Sequence, residues 1–227
     1  MIAMATPTPQ RNERRTDALS KERIVEAAIE ILDAEGEGAL TFRALGARLA
    51  TGSGALYWHV ANKNELLTAA ASGVIAGAMT EATRRAPPRK AIRALALGVF
   101  DAIDAHPWVG TQLTREPWQP AMAQIFEGIG VQLRALGVPE QAQFDAVSAL
   151  VNYLLGVAGQ NAANARAHAQ AADRSTFLGS VAARWLQLDP AQYPFVHQMA
   201  TQLPEHDDRE QFLVGIDLIL AGVPALR

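Results

Sequence analysis

Three aromatic side chains, Tyr57, Trp58 and His59, stand next to one another between the segment TGSG and the segment NKNE. Adjacent residues of a helix point about 100° apart, so three consecutive rings cannot all face one core. At least one ring must therefore face outward, close to the ammonium group of Lys63. Exposed rings beside a cation are typical of a surface that a partner covers, and the cation favours an anionic partner.

The charge pattern around these rings also favours an anionic partner. The whole chain has 227 residues and a net charge of −3, which argues against a generally basic nucleic-acid binder. Between Glu37 and Glu65, however, no acidic residue occurs, while the stretch holds the basic residues Arg43, Arg48 and Lys63 together with His59. Phosphate binding needs local positive potential without nearby carboxylates, whatever the total charge is. A chance gap in the acidic residues is the alternative interpretation.

Capping signals predict the elements that position these side chains. Ser20 fits the N-cap of a first helix, KERIVEAAIEILDAEG, and Thr41 fits the N-cap of a second, TFRALGARLA. TGSG at 51–54 reads as a tight turn, followed by a third helix, ALYWHV, of about two turns. Asn62 and Glu65 then form a capping-box pattern at the start of a fourth helix. A helix as short as the third must be held by packing, which suits a helix presented to a partner.

This order of elements is a helix-turn-helix, whose second helix enters the DNA major groove. The segment LTFRALGARLATGSGALYWHVANKNELL also resembles the signature of TetR-type transcriptional repressors, nearly without a gap from the first helix into the fourth. The paired element LYWH and NK is part of that match. The resemblance implies a DNA-binding regulator in which double-stranded operator DNA is the partner.

Helix-turn-helix geometry divides the candidate DNA contacts into two groups. Base readout is expected from the start of the third helix and from a long side chain of the second, namely Ser53, Gly54, Ala55 and Arg43. In the resembled family, the positions matching Arg43 and the start of the third helix contact base edges. Contacts with the sugar-phosphate backbone and thymine methyls are expected from Thr41, Tyr57, Trp58, His59 and Lys63. Two alternatives stay open: Tyr57 or Trp58 is a core aromatic, and Arg48 lies on a solvated face.

The remaining chain predicts an all-α protein with three parts. Residues 1–17 read as a flexible arm, in which Arg11, Arg14 and Arg15 either reach the minor groove or only aid solubility. Residues 18–67 form the helix-turn-helix domain, and residues 68–227 form a larger helical domain, in which a loop or hinge with two prolines follows the fourth helix at 83–90. Helical patterns are predicted over 91–106, 121–137, 139–170, 175–189 and 208–222, and no segment alternates as a strand would.

Two helices of the larger domain are apolar on more than one side, which predicts a homodimer. In 143–160 one stripe holds Phe144, Val147, Val151, Leu154 and Leu155, and a second holds Ala149, Tyr153 and Gly156. The helix at 209–222 is apolar most of the way round. A helix with two apolar faces needs two partners, of which one can be a second subunit, and Leu154 and Ile216 are the interface residues that this pattern predicts. The resemblance implies the same, because similar regulators dimerise through a four-helix bundle of their eighth and last helices.

An aromatic-rich region predicts a small-molecule effector. The candidate effector contacts are Phe100, Trp108, Trp118, Phe126 and Tyr153, with ordinary packing in the core or under loops as the alternative for each of them. Tetracycline repressors hold a magnesium ion partly through a histidine shortly before a Gly-Thr pair, and the comparable segment HPWVGT places Trp108 there. An indole cannot bind a hard cation. We therefore expect an apolar or aromatic effector bound without a metal or other cofactor, with the fourth helix carrying its signal to the DNA-binding part.

Several function classes are disfavoured. The chain has no cysteine, no signal-peptide pattern and no membrane-spanning run, so a cytoplasmic protein is expected. No phosphate loop, nucleophile elbow or zinc-binding helix motif occurs, which argues against an enzyme. The sequence predicts a ligand-responsive transcriptional regulator, which we expect to be a repressor of a palindromic operator. A small-molecule carrier bundle without DNA function is the alternative.

Overall fold

The computed structural model describes residues 19–82, 86–168 and 174–226. The predicted arm at 1–17 with its three arginines, and residues 83–85 of the predicted hinge, lie outside these ranges. Throughout the described ranges the regular structure is helical, as predicted, with eleven α-helices and two short 3₁₀ segments. By contact, the chain divides into two compact units, the first ending at Ala70 and the second starting at Ala71.

The first unit contains three helices and the start of a fourth. They are α1 (Lys21–Glu35), α2 (Phe42–Arg48), α3 (Ser53–Tyr57) and α4 (Lys63–Ala82), whose later residues belong to the second unit. The predicted caps are confirmed, because Ser20 accepts a hydrogen bond from the Arg23 amide and Thr41 accepts one from the Ala44 amide. The apolar side chains of these helices form one small core, which includes Ile24, Ala28, Ile31, Leu32, Leu40, Leu45, Leu56 and Val60.

The second unit adds seven further helices after α4. They are α5 (Pro88–Ala105), α6 (Pro107–Arg115), α7 (Pro120–Ala135), α8 (Glu140–His168), α9 (Arg174–Trp185), α10 (Pro194–Ala200) and α11 (Asp208–Gly222). Four of them, α5, α6, α7 and α10, begin with proline, which helices favour at the first position because its missing N–H would have no partner there. The core of this unit lies where α5, α7 and α11 pack against α8.

The structure corrects the sequence-based description at three places. The helix predicted over 175–189 ends at Trp185. Two short helices, α6 and α10, were not predicted, since seven to nine residues carry too little periodicity to identify. The third helix ends at Tyr57, so Trp58 and His59 lie in the turn after it and not on it.

Several residues of the expected apolar faces differ in burial from the prediction. Leu154 and Ile216, which the sequence offered as subunit-interface residues, are both fully buried inside the second unit. Phe144, expected in the buried stripe of α8, is exposed, as are Val214 and Leu218 on α11. None of the helices in the part of the chain that the structure describes is long and apolar enough to cross a membrane.

Candidate nucleic-acid interface and effector cleft

A constrained turn joins α2 to α3. Ala50 adopts a positive φ of 50°, and the Thr51 amide donates to the Gly46 carbonyl at 2.9 Å. A Cβ atom at Gly46 would stand 2.7 Å from the Thr51 carbonyl oxygen, which is backbone and cannot rotate away. Only glycine therefore lets the chain fold back this tightly. The turn fixes the angle at which α3 leaves α2.

The aromatic run after this turn is split between core and solvent. Leu56 and Val60 are buried, so they anchor the segment from within. Tyr57 is 57% exposed and Trp58 is 89% exposed, while His59 is half-buried. The alternative in which Trp58 is a core residue is therefore wrong. Two large rings stand on the surface of a five-residue helix and the turn that follows it.

Tyr57 is not free to rotate on this surface. Its ring stacks on the ring of Phe42, with centroids 4.3 Å apart and planes 9° from parallel. Phe42 is the first residue of α2, and Tyr57 is the last of α3. The stack thus connects the two helices of the helix-turn-helix at its exposed side.

The cations of the acid-free stretch differ in how they are engaged. Arg48 forms an ion pair with Glu30 at 2.6 Å, which supports the interpretation of Arg48 as part of a solvated face. Lys63 donates from Nζ to the Glu37 carbonyl at 2.6 Å, so this ammonium is held at a fixed place and keeps two further N–H groups. Arg43 is exposed, and within the described ranges its guanidinium has no hydrogen bond or ion pair. It is the most available long side chain on α2.

The remaining predicted DNA contacts lie at the starts of α2 and α3. Thr41 caps α2 through Oγ1, which accepts from the Ala44 amide at 3.1 Å. Ser53 and Gly54 are exposed in the first turn of α3, and Ala55 is half-buried. All nine predicted residues lie in the first unit, at the start of α2, on α3, in the turn after α3 and at the start of α4.

Polar contacts fix the beginning of α4 beside this surface. The Glu65 amide donates to Asn62 Oδ1 at 2.9 Å, as the capping box predicts, but Glu65 Oε2 accepts from the Ala61 amide and not from that of Asn62. Glu65 also pairs with Lys21 at 2.8 Å. The hydrogen bond from Lys21, and next that from the Ala61 amide, hold the pKa of Glu65 below its ordinary value. These contacts tie α1 to α4, next to Lys63.

The predicted effector contacts do not form one cluster. Trp118 and Phe126 line a cleft of about 470 Å³ between the end of α6, α7 and α8. Phe100 and Tyr153 instead both stack on the ring of Phe212, with centroid distances of 4.6 and 5.7 Å. Trp108 packs partly buried against the core and edge-on to His106.

Tyr153 is occupied by packing within the subunit. Its hydroxyl donates to the Phe212 carbonyl at 3.3 Å, its ring covers Gly215 so closely that no Cβ would fit there, and burial raises the pKa of its phenol. This residue holds α8 to α11, which is a structural task.

Sequence reasoning missed most of the lining of the α6–α8 cleft. The side chains there are apolar or uncharged, and the further lining residues are Leu113, Thr114, Pro117, Met122, Phe144, Ser148, Val151, Asn152, Leu155 and Gly156. The signal was present in the helical spacing of Phe144, Ser148 and Asn152 along one side of α8. Trp118, at 94% exposure, stands at the mouth of the cleft. No group of three or more His, Asp or Glu side chains able to hold a metal ion occurs among the described residues.

Comparison with known proteins connects both units to one family. Residues 24–70 match the family described as bacterial regulatory proteins, tetR family, and residues 88–227 match the tetracyclin repressor-like C-terminal domain. The HTH-type transcriptional repressor DrrR1 of Streptomyces coeruleorubidus is 30% identical over 172 residues, which are 75% of this chain and 61% of that protein. The matched segments span 61% and 63% of the length of two curated relatives.

Solved structures agree over nearly the whole chain. A TetR transcriptional regulator of Streptomyces coelicolor is 52% identical, with a TM-score of 0.84 over 92% of this chain and 99% of its own. ActR of the same organism, in complex with actinorhodin, is 25% identical, with a TM-score of 0.72 over 92% of this chain and 98% of its own. Regulators of this kind are not enzymes, in agreement with the missing catalytic motifs. The chain therefore belongs to the TetR family of transcriptional regulators.

Proposed function

We propose that the protein is a repressor that binds a palindromic operator as a homodimer and is released from it by a small apolar or aromatic effector. One observation carries this proposal. On the helix-turn-helix of a TetR-family chain, the large rings of Tyr57 and Trp58 are exposed, and so is Arg43, whose guanidinium has no hydrogen bond or ion pair within the described ranges. Exposed rings of this size on a folded surface favour a partner, and the basic side chains of the stretch between Glu37 and Glu65, which contains no acidic residue, favour a phosphate backbone.

The DNA contacts divide by chemistry. Arg43 reads a guanine edge through two parallel hydrogen bonds, because its guanidinium is free and carries a planar donor fork. Ser53, Gly54 and Ala55 allow α3 to approach the base edges closely, since their side chains are small. Thr41, Tyr57, Trp58, His59 and Lys63 contact the backbone. Lys63 does so from a fixed position, because the Glu37 carbonyl already holds its ammonium.

The effector occupies the cleft of the second unit that Trp118 and Phe126 line. Its described lining contains no charged side chain, which favours an uncharged, apolar molecule over an ion or a metal complex. Thr114, Ser148 and Asn152 supply the few polar groups that orient such a molecule. ActR, a relative of the same fold, has been solved with actinorhodin bound. The effector releases DNA only if it binds the DNA-incompetent arrangement of the dimer more tightly than the competent one.

The homodimer is supported by the outer face of α11. Val214 and Leu218, one turn apart, are 58% and 70% exposed within a single chain. Two apolar side chains stacked on one helix face are well suited to an isologous contact with a second copy. The proposed interface therefore uses Val214 and Leu218, whereas Leu154 and Ile216, which the sequence predicted at the interface, belong to the core of each subunit.

A gel-shift experiment tests the proposal. The full-length protein is titrated onto a duplex that covers the intergenic region upstream of its own gene, with a shuffled duplex as control. A repressor retards the upstream duplex at lower concentration, and Arg43→Ala removes most of that difference. A carrier bundle without DNA function would bind neither duplex.

A further inference from the structure

Phe42 and Tyr57 form the contact between the exposed ends of α2 and α3. Their ring centroids are 4.3 Å apart, closer than the roughly 4.5–7 Å of most aromatic pairs. α3 has five residues, and its N-cap residue, Gly52, offers no side-chain hydrogen bond. A helix this short has little stability of its own. The buried side chains of Leu56 and Val60 anchor the backbone of this segment, so what the stack decides is the direction of the Tyr57 ring.

Phe42 itself is held firmly. Thr41 caps α2 by accepting a hydrogen bond from the Ala44 amide at 3.1 Å, which fixes the first turn of that helix. The Phe42 ring is half-buried, whereas 57% of Tyr57 faces solvent. One ring of the pair is thus a fixed support, and the other carries a hydroxyl group to the surface.

We propose that Phe42 is a positioning residue for DNA binding, because its ring sets the direction in which the Tyr57 hydroxyl meets a backbone phosphate. Phe42 has no group that hydrogen-bonds to a phosphate, so it acts through Tyr57. This role rests on the proposed function. It adds a residue that is not among the nine predicted DNA contacts.

A double-mutant cycle tests the role of Phe42. Operator affinity is measured for Phe42→Leu, Tyr57→Phe and the double variant, on the upstream duplex. Tyr57→Phe keeps the stack, and we expect about a tenfold loss, because the hydroxyl makes a hydrogen bond to a charged group. Phe42→Leu removes the stack, and we expect a loss of about two- to tenfold. When Tyr57→Phe is already present, adding Phe42→Leu should cause no further loss of affinity. With Tyr57 intact, Phe42→Tyr keeps an aromatic ring in the stack and should bind the operator as tightly as the unsubstituted protein.

Two controls separate positioning from general damage. Phe195→Leu removes an exposed ring of α10 and should leave operator affinity unchanged. The dependence of affinity on salt should also be unchanged in Phe42→Leu, because the Tyr57 hydroxyl carries no charge and releases no counterion. If Phe42→Leu unfolds the domain in a thermal melt, Phe42→Met replaces it in the same cycle.

Three results would overturn the role of Phe42. The first is an unchanged affinity in Phe42→Leu. The second is an equal loss in both backgrounds, which would make Phe42 a residue of general domain stability. The third is an unchanged affinity in Tyr57→Phe. Failure of the unsubstituted protein to bind the upstream duplex would instead overturn the proposed function, and this role with it.

Discussion

Substitutions on opposite faces of α11 should separate association from folding. Leu218 is 70% exposed in a single chain, whereas Ile216, two residues before it, is fully buried. Complete burial of a leucine side chain stabilises by about 1.5–3 kcal/mol, so seven-tenths of one is worth about 1–2 kcal/mol. An isologous interface contains the residue twice, which gives about 2–4 kcal/mol per dimer. Leu218→Ala should therefore raise the dimer dissociation constant about 30- to 700-fold.

The matched control is Ile216→Ala. Removing this buried side chain leaves a cavity and should lower the free energy of unfolding by about 2–5 kcal/mol. Leu218→Ala should change that free energy little when it is measured on the monomer. Sedimentation equilibrium over a wide range of protein concentration measures dissociation, and urea unfolding measures stability. A native chain that stays monomeric, or a Leu218→Ala dimer as tight as the native one, would refute the assignment of this face to the interface.

Four further outcomes follow from the sites described. Lys63→Ala should weaken binding similarly on all DNA sequences and lower the slope of log affinity against log salt concentration by about one. Arg43→Ala should instead lower the binding free energy by about 1–3 kcal/mol through the loss of one base-pair contact per half-site. A binding assay on mutated duplexes measures both effects. Gly46→Ala forces its Cβ against backbone and should lower the melting temperature and abolish operator binding. Trp118→Ala should weaken effector binding in calorimetry, and the native affinity should be equal in magnesium and in a chelator. The fold holds the pKa of Glu65 below its ordinary value of 4.5, so its stabilising contribution is present above pH 4.5 and is lost as the pH falls through the depressed pKa. In a plot of melting temperature against pH, Glu65→Gln should therefore show a smaller decrease on the acid side.

The features that the sequence predicted well are local ones. Ser20 and Thr41 cap their helices as expected, and α11 begins and ends where its pattern does. A cap is a contact between residues three positions apart, so sequence spacing is enough to identify it. The burial of Leu56 and Val60 is local in the same sense: Val60 lies after α3, but its amide still donates to the Leu56 carbonyl at 3.0 Å, which keeps the helical spacing of four.

The features that the sequence could not give depend on which elements pack together. A helix that is apolar all round has no pattern that distinguishes its core face from its outer face. The sequence therefore could not show that Ile216 lies in the core while Leu218 is exposed. Gln112 and Gln119 are likewise buried despite their polar side chains. Gln119 can be buried because its Nε2 donates to the carbonyls of Gln112 and Glu116 at the end of α6. These contacts cannot be predicted from composition.

Two tyrosines show how packing decides what a side chain is available to do. Each stacks nearly parallel on a phenylalanine, Tyr57 on Phe42 and Tyr153 on Phe212. The hydroxyl of Tyr153 donates to a backbone carbonyl of its own chain, and burial raises its pKa, so its polar group is already used. Tyr57 lies on a five-residue helix with more than half of its surface exposed, so its hydroxyl can reach a partner. The same stacking geometry thus accompanies an internal support in Tyr153 and an exposed hydroxyl in Tyr57, which the function proposed above uses as a contact with DNA; the difference lies in the length of the helix and in what covers it.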